Sequence, residues 1–277
     1  MNLRRFFSSR LWLTALLTVL VIVINFPVIF MALNSFQTTT EMLASRSVFP
    51  EHYSLANYIF LISRTPYLNY MMNSAITSLG STVLSVFAGL LAGYALSRFS
   101  NVLLGIYSNF LFAIQMFPII LALIPLFILF KPLGLINNPL SVIIVYSLIN
   151  LPFITWMSRS YFDTIPRELE EAALIDGCSP FRAFVQVILP LAGPGVAAVS
   201  IFAFLFSYNE FFVANVFLRT QNAMTLPVGI QLFIQQFSTD WGSLVAAATL
   251  AMVPTLVLFL FVQKFIAHGA LAGSVKG

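Results

Sequence analysis

The sequence alternates between long stretches that lack Asp, Glu, Lys and Arg and shorter segments that carry nearly all the charge. The uncharged stretches run from Leu11 to Thr40, Thr65 to Ser97, Phe99 to Phe130, Pro132 to Ser158, Ala183 to Asn209 and Trp241 to Gln263. Crossing ~30 Å of hydrocarbon at 1.5 Å per residue takes about 20 apolar helical residues. Trimming the polar ends predicts six helices, near 11–33, 70–97, 103–130, 140–158, 190–216 and 244–265. The expected fold class is therefore all-α, a polytopic membrane protein with six transmembrane helices. A short N-terminus (1–10) and a tail (266–277) flank one membrane domain over 11–265, with long connections at 34–69, 159–190 and 217–243. Arg4, Arg5 and Arg10 before the first apolar run resemble a secretory signal, but that run is too long for one and five more follow, so it is expected to be an uncleaved anchor.

Finer patterning lies inside two of these stretches. Thr77, Ser81, Ser85, Gly89 and Gly93 recur at steps of four and line one helix face with small residues. In a bilayer, where apolar tails compete for every apolar face, such a stripe marks close helix–helix contact. The sequence leaves open whether the neighbour is in this chain or in a partner. The segment Lys131-Pro-Leu-Gly-Leu-Ile-Asn-Asn-Pro139 is short and rich in turn formers, so the third and fourth spans should form an antiparallel hairpin.

Composition removes several function classes. Only 8% of the 277 residues are charged, against about 25% in a typical soluble domain, and 60% are hydrophobic with a mean hydropathy of +0.95. The net charge of +4 comes from 13 scattered cations rather than a basic patch, which argues against nucleic acid. With both termini in the cytoplasm, nine of the 13 Lys and Arg fall inside and Arg46, Arg64, Lys131 and Arg219 outside, in keeping with the positive-inside rule. The single cysteine, Cys178, excludes an internal disulfide and a thiolate metal cluster.

The connection 159–190 holds five of the nine acidic residues and is not a plain loop. Pro166 suits a first helical turn, Glu168, Glu170 and Glu171 suit the positive end of the dipole, and Gly177 suits a left-handed C-terminal cap. Ser179 and Pro180 open a second helix in which Phe181, Phe184, Val185 and Ile188 follow an i, i+3, i+4, i+7 pattern. On the first helix Leu169, Ala172 and Ala173 share a face flat enough for another protein to approach. These facts fit a docking element for a soluble partner or an amphipathic pair resting on the bilayer surface.

Glu171-Ala172-Ala173, Gly177 and Val187-Ile188-Leu189-Pro190, spaced by three and nine residues, resemble the EAA loop of binding-protein-dependent ABC importer permeases. Ile165-Pro166-Arg167-Glu168-Leu169-Glu170, Tyr208-Asn209-Glu210-Phe211 and the tail Ala272-Gly273-Ser274-Val275-Lys276-Gly277 are similar to the carbohydrate-type branch, which includes the smaller maltose-type permease. Val187 stands where the motif usually has Ile, and Tyr208 where Trp is frequent. The resemblance implies the type I importer permease fold in a bacterial or archaeal cytoplasmic (inner) membrane. It also implies three kinds of partner beside membrane lipid: a second homologous permease, an ATPase dimer and an extracytoplasmic solute-binding protein. Glu171, Ala172, Ala173 and Gly177, with Leu169 and Phe181, would couple to the ATPase. The tail from about Lys264 would reach toward the ATPase pair, and 217–243 would probe a docked binding protein. No cofactor is expected in this chain, because ATP and Mg would be bound by the partner ATPase.

The residues themselves supply no motor. Lys131, Lys264 and Lys276 follow Phe, Gln and Val, not the Gly of a P-loop, and HExxH and GxSxG are absent, so the chain is expected to be non-catalytic. Glu210 and Asn209 are candidates to hydrogen-bond a solute, with Tyr208 and Gln115 beside them on the pathway. The competing reading puts Glu210 at headgroup depth, solvated or paired with Arg219. Asn73 and Asn150 either line the pathway or bond between helices. An ion-gradient-driven secondary transporter is the alternative function, opposed by the lack of a mid-span acid or histidine.

Overall fold

The computed structural model describes residues 3–44, 47, 49–234 and 239–274, with side chains described for 11–263 within those ranges. Arg46 and the Val275–Gly277 end of the tail lie outside the described residues, as do the side chains of Arg4, Arg5, Arg10, Lys264 and His268. No strand occurs among the described residues, beyond an isolated antiparallel bridge between Ile234 and Thr239. The chain divides into two units, one comprising the residues up to Thr65 with Leu232–Met252, the other Pro66–Gln231 with the residues from Val253 on.

In the first unit, α1 (Leu3–Asn34) is apolar on all sides, and its residues 11–29 are all exposed. The following connection is ordered by α2 (Thr39–Ala44) and α3 (Ala56–Arg64). Asn57 on α3 donates to the carbonyls of Ser35 (3.0 Å) and Gln37 (2.7 Å), which satisfies backbone left open as α1 ends. Asp240 caps α14 (Trp241–Ser274): its carboxylate accepts from Ser243 N–H (3.2 Å) and from the Thr39 hydroxyl (2.6 Å), which itself accepts from Gly242 N–H (2.8 Å). Partial burial works against ionisation of Asp240, but the hydrogen bonds from Ser243 and Thr39 outweigh it and hold the carboxyl below its ordinary range.

The second unit is built on α4 (Tyr67–Arg98), α7 (Pro139–Asp163) and α11 (Gly193–Tyr208). The small-residue stripe of α4 finds its neighbours within the chain: Thr77, Ser81, Ser85, Gly89 and Gly93 are buried. A Cβ at Gly89 would lie 2.5 Å from Ile154 Cγ2, and one at Gly93 would lie 2.8 Å from the Thr155 carbonyl. Ser81 Oγ donates to Ser207 Oγ of α11 (2.9 Å), so the stripe serves two partners.

Two predicted spans are broken. The 103–130 stretch folds as α5 (Val102–Met116) and α6 (Ile119–Phe130), bent by 99° at Phe117–Pro118. A residue before proline is pushed out of the helical region, and Phe117 is indeed extended, with ψ 123°. The 190–216 stretch begins at the end of a segment that runs to Leu191, bends by 80° beside Ala192 into α11, and after Tyr208 breaks at Asn209–Glu210 before the short α12 (Phe212–Phe217). Among the described residues four helices are long and apolar enough to span a membrane by themselves, or up to six if each bent pair counts as one. The connection Lys131–Pro139 makes the expected turn with Gly134 and Asn137 at φ 67° and 60°. Asn137 Oδ1 accepts from Arg219 N–H (2.7 Å) and Thr220 N–H (2.9 Å), which fastens the turn to the end of α12. Beyond α12, α13 (Leu226–Gln231) is tied to α4, as Ser74 Oγ accepts from Leu226 N–H (2.7 Å). Asn73 donates to the carbonyls of Asn222 and Met224, both at 2.9 Å, and so straps this connection to α4.

Candidate functional site

The acidic connection forms α8 (Arg167–Ile175), a turn, and a second helical segment made of α9 (Pro180–Ala183), a π turn (Phe184–Ile188) and α10 (Leu189–Leu191). Gly177 lies at φ 88°, and Cys178 N–H donates back to the Ala173 carbonyl (3.0 Å), closing α8 in the expected left-handed cap. Ser179 Oγ caps α9 by accepting from Arg182 N–H (3.4 Å). The π turn has a cause in Pro190, which offers no N–H to the carbonyl of Gln186 and whose ring would crowd it. Widening the turn, with Leu189 N–H bonding to the Phe184 carbonyl, relieves that conflict.

The expected apolar stripe splits in consequence. Phe184 and Ile188 are buried against Phe162, Leu90 and Ala192, whereas Phe181 is 69% exposed and Val185 points out as well. A wider turn advances less per residue, so positions three apart diverge and the two pairs face opposite ways. On α8 the predicted flat face also divides: Leu169, Ala172 and Glu171 are exposed, but Ala173 is 7% exposed and faces inward, and Ile175, 86% exposed, extends the outer surface. A depression of about 470 Å³ lies at the turn and the outer side of the second segment, lined by Gly177, Ser179, Phe181, Arg182, Val185 and Gln186.

Behind this surface sits a polar cluster that the sequence did not signal, because its members are some 70 residues apart. Arg98, the last residue of α4, places Nε 2.9 Å from Glu170 Oε2 of α8, with side chains only 6% and 13% exposed. Arg98 Nη2 donates to the Ile165 carbonyl (3.1 Å), Tyr94 donates its hydroxyl proton to Glu170, and Arg167 Nη2 donates to the Ser97 carbonyl (3.0 Å). Ser97 in turn donates to Asp163 of α7.

A second feature is a cavity of about 700 Å³ among α5, α6, α7 and the end of α11. Phe110, Phe117, Phe153 and Phe206 supply much of its wall, with Gln115, Asn150, Ser207 and Glu210 as polar points. Asn150 donates to Ser207 Oγ (2.9 Å), so it bonds between helices and lines the cavity at once. Gln115 and Glu210 thus line the same cavity, while Tyr208 and Asn209 are not part of its lining. Tyr208 is buried and stacks on Phe204 at 5.4 Å, and Asn209 donates to the Leu205 carbonyl (2.9 Å). Glu210 is not paired with Arg219: the ion pairs among the described residues are Arg98–Glu170 and Arg159–Asp163. Its carboxylate instead accepts from Val213 N–H (3.1 and 3.0 Å) and Ala214 N–H (3.4 Å), the open first turn of α12. The signal available was an acid three residues before Val213, a capping position that an unbroken 190–216 span conceals.

Residues 85–270 match the family of binding-protein-dependent transport system inner membrane components. The chain is 34% identical over 277 residues to the sulfoquinovosyl glycerol transport system permease of Agrobacterium fabrum, covering 100% of this chain and 97% of that one. It is 33% identical over 275 residues to the diacetylchitobiose uptake system permease of Streptomyces coelicolor (99% and 90% covered). Against the maltodextrin transport system permease of Bacillus subtilis it is 34% identical over 262 residues (94% of each). In fold it is similar to a chain of a bacterial ABC transporter that imports the acidic polysaccharide alginate, with a TM-score of 0.77 at 20% identity over 95% of this chain and 98% of that one.

Proposed function

The chain belongs to the binding-protein-dependent transport system inner membrane component family, and from that premise we propose that it is one permease subunit of an ATP-driven importer for a carbohydrate or a related polyol or glycerol-phosphate type solute. The named solutes of its relatives, a sulfoquinovosyl glycerol, diacetylchitobiose and maltodextrin, are sugars or sugar conjugates, which supports that class. In this reading the chain forms half of the translocation pathway with a second homologous permease. An ATPase dimer, which binds ATP and Mg, supplies the energy, and an extracytoplasmic binding protein delivers the solute. Both termini lie in the cytoplasm of a bacterial or archaeal cell, and the exposed apolar wall of α1 meets lipid.

The observation that carries the coupling role is the outward surface of α8 and α9. Leu169, Ala172 and Ile175 stand exposed on α8, whose acidic residues keep it out of the bilayer, and Phe181 stands exposed beside it at a depression that Gly177 also lines. Large apolar groups in that setting need a protein to cover them. Glu171, Ala172 and Gly177 contact the ATPase, and Ala173 sets the depth of α8 from behind. The cavity with Gln115 and Glu210 lies on the pathway. Its mostly apolar wall, which includes four phenylalanine rings and Tyr146, suits the apolar faces of a sugar ring, while few polar groups means weak holding, as passage requires.

The test is co-purification of the candidate ATPase with the detergent-solubilised chain, wild type against Gly177→Asp, with ATP hydrolysis assayed in both. The expected result is association with the wild type and loss of association, or hydrolysis without transport, in the variant. No association with the wild type, and a variant indistinguishable from it, would return the ion-gradient reading.

A further inference from the structure

We propose that Arg98 and Glu170 form a positioning clamp through which α8 moves α4 as one body, so that the ATPase stroke enters the membrane domain through α4 as well as through the chain connections. The inference rests on the coupling role of α8 stated above. Covalently, α8 follows α7, and the second helical segment leads into α11, but α4 has no chain connection to either coupling helix. Any force that reaches α4 from that surface has to cross non-covalent contacts.

The contacts present suit that task. A carboxylate and a guanidinium, 13% and 6% exposed, meet at 2.9 Å at the junction of a span with a solvent-facing helix. An ion pair so far removed from water resists separation, because opening it would leave two desolvated charges unpaired. Neither partner has slack. Glu170 also accepts from Tyr94, one turn back on α4, and Arg98 also donates to Ile165, the residue before Pro166, so both ends of the α7–α8 junction are held. Arg167 closes the ring with its bond to the Ser97 carbonyl. On its other side α4 is set by the close contacts of Gly89 and Gly93 with α7 and by the Ser81–Ser207 bond to α11, so displacement of α4 is felt by the whole helical core. Glu170 stands beside Glu171, which places the clamp immediately behind the surface offered to the ATPase.

The test uses the complete complex with its ATPase, in a Cys178→Ser background with nitroxide labels at Phe87→Cys on α4 and Glu168→Cys on α8, both exposed positions. The label-to-label distance is read without nucleotide and with magnesium ATP. The expected result is one narrow distance, unchanged by ATP, in the otherwise wild-type protein. Arg98→Ala should broaden it and make it shift with ATP, and Arg98→Glu with Glu170→Arg should restore the narrow distance. Should Arg98→Ala fail to accumulate, Arg98→Lys, which gives up the bond to Ile165, is read in the same way. A distance that shifts with ATP in the wild type, or that neither Arg98 variant changes, overturns the clamp. Failure of the ATPase to co-purify with the labelled wild type overturns the coupling role itself and is seen before any distance is measured.

Discussion

Two glycine-dependent regions of the second unit hold their shape by opposite physics. Along α4 the glycines have ordinary helical geometry and are required by their neighbour: a Cβ at Gly93 would meet the Thr155 carbonyl at 2.8 Å and Arg159 N at 2.9 Å. At the turn between α8 and α9, Gly177 has nothing within 4 Å of where a Cβ would stand and is required by its own backbone, at φ 88°. Close packing secures the span that crosses the membrane, where lipid gives no reward for burying apolar surface. Hydrogen-bonded caps secure the helices that face water, where backbone ends need partners. The seam can tolerate no added atom, whereas the turn tolerates side chains that accept left-handed geometry.

Substitution at the seam should have the largest effect. Gly93→Leu sets a branched side chain against α7 backbone, which cannot rotate aside, and overpacking of this kind costs about 1–3 kcal/mol, with the upper end expected where the obstacle is backbone. Detergent-solubilised protein should lose its monodisperse peak in size-exclusion chromatography at temperatures where the wild type keeps it. Gly93→Asn should be no better, since the obstacle is volume. At the turn the order reverses: Gly177→Val should cost about 1–2 kcal/mol through left-handed strain, and Gly177→Asn much less. If Asn rescued Gly93, or failed to improve on Val at Gly177, in thermal unfolding followed by circular dichroism, the contrast drawn above would collapse.

The sequence made one of these regions plainer than the other. Small residues at steps of four are a periodic signal, so the stripe from Thr77 to Gly93 could be read without knowing that α7 lay opposite. Gly177 could be read because it follows a capped acidic helix. The bends at Phe117–Pro118 and beside Ala192 escaped because a count of uncharged residues measures length and is blind to direction, although Pro118 carried the information. Ala173 was placed outward because Leu169, Ala172 and Ala173 fall on one arc of an isolated helix. Only the tertiary contacts behind α8 decide which edge of that arc is buried. The Arg98–Glu170 pair was invisible for the same reason, as was the closing of a helix end by the Glu210 carboxylate, which depends on the chain breaking after Tyr208.

Glu210 sharpens the distinction between caps and pathway. Glu210→Ala removes the acceptor for Val213 and Ala214 N–H, which should cost about 1 kcal/mol, while Glu210→Gln keeps an oxygen and should cost less. Solute uptake provides the second readout. A cap alone predicts that uptake tracks stability in both variants. Loss of uptake by Glu210→Gln at unchanged stability would add a direct contact with the solute.

The smallest effect is expected at the cap of α14, in the first unit, where the same logic can be titrated. Asp240 is held below the ordinary carboxyl range because Ser243 and Thr39 donate to its charged form more than partial burial opposes it. A depressed folded value means that the charged carboxylate stabilises the fold at neutral pH. That contribution is complete above the unfolded value of ~3.9 and is lost as pH falls through the folded value. Asp240 is only partly buried, so solvent screens the effect and holds it well below about 1 kcal/mol. Between pH 7 and 5 the wild type and Asp240→Asn should therefore differ in melting temperature by a small, constant amount, narrowing only toward pH 3. Thr39→Val removes one of the donors and should bring that narrowing to a higher pH. A gap that widened as pH fell would mean that burial, not hydrogen bonding, governs Asp240, and the cap would then work against the fold at neutral pH.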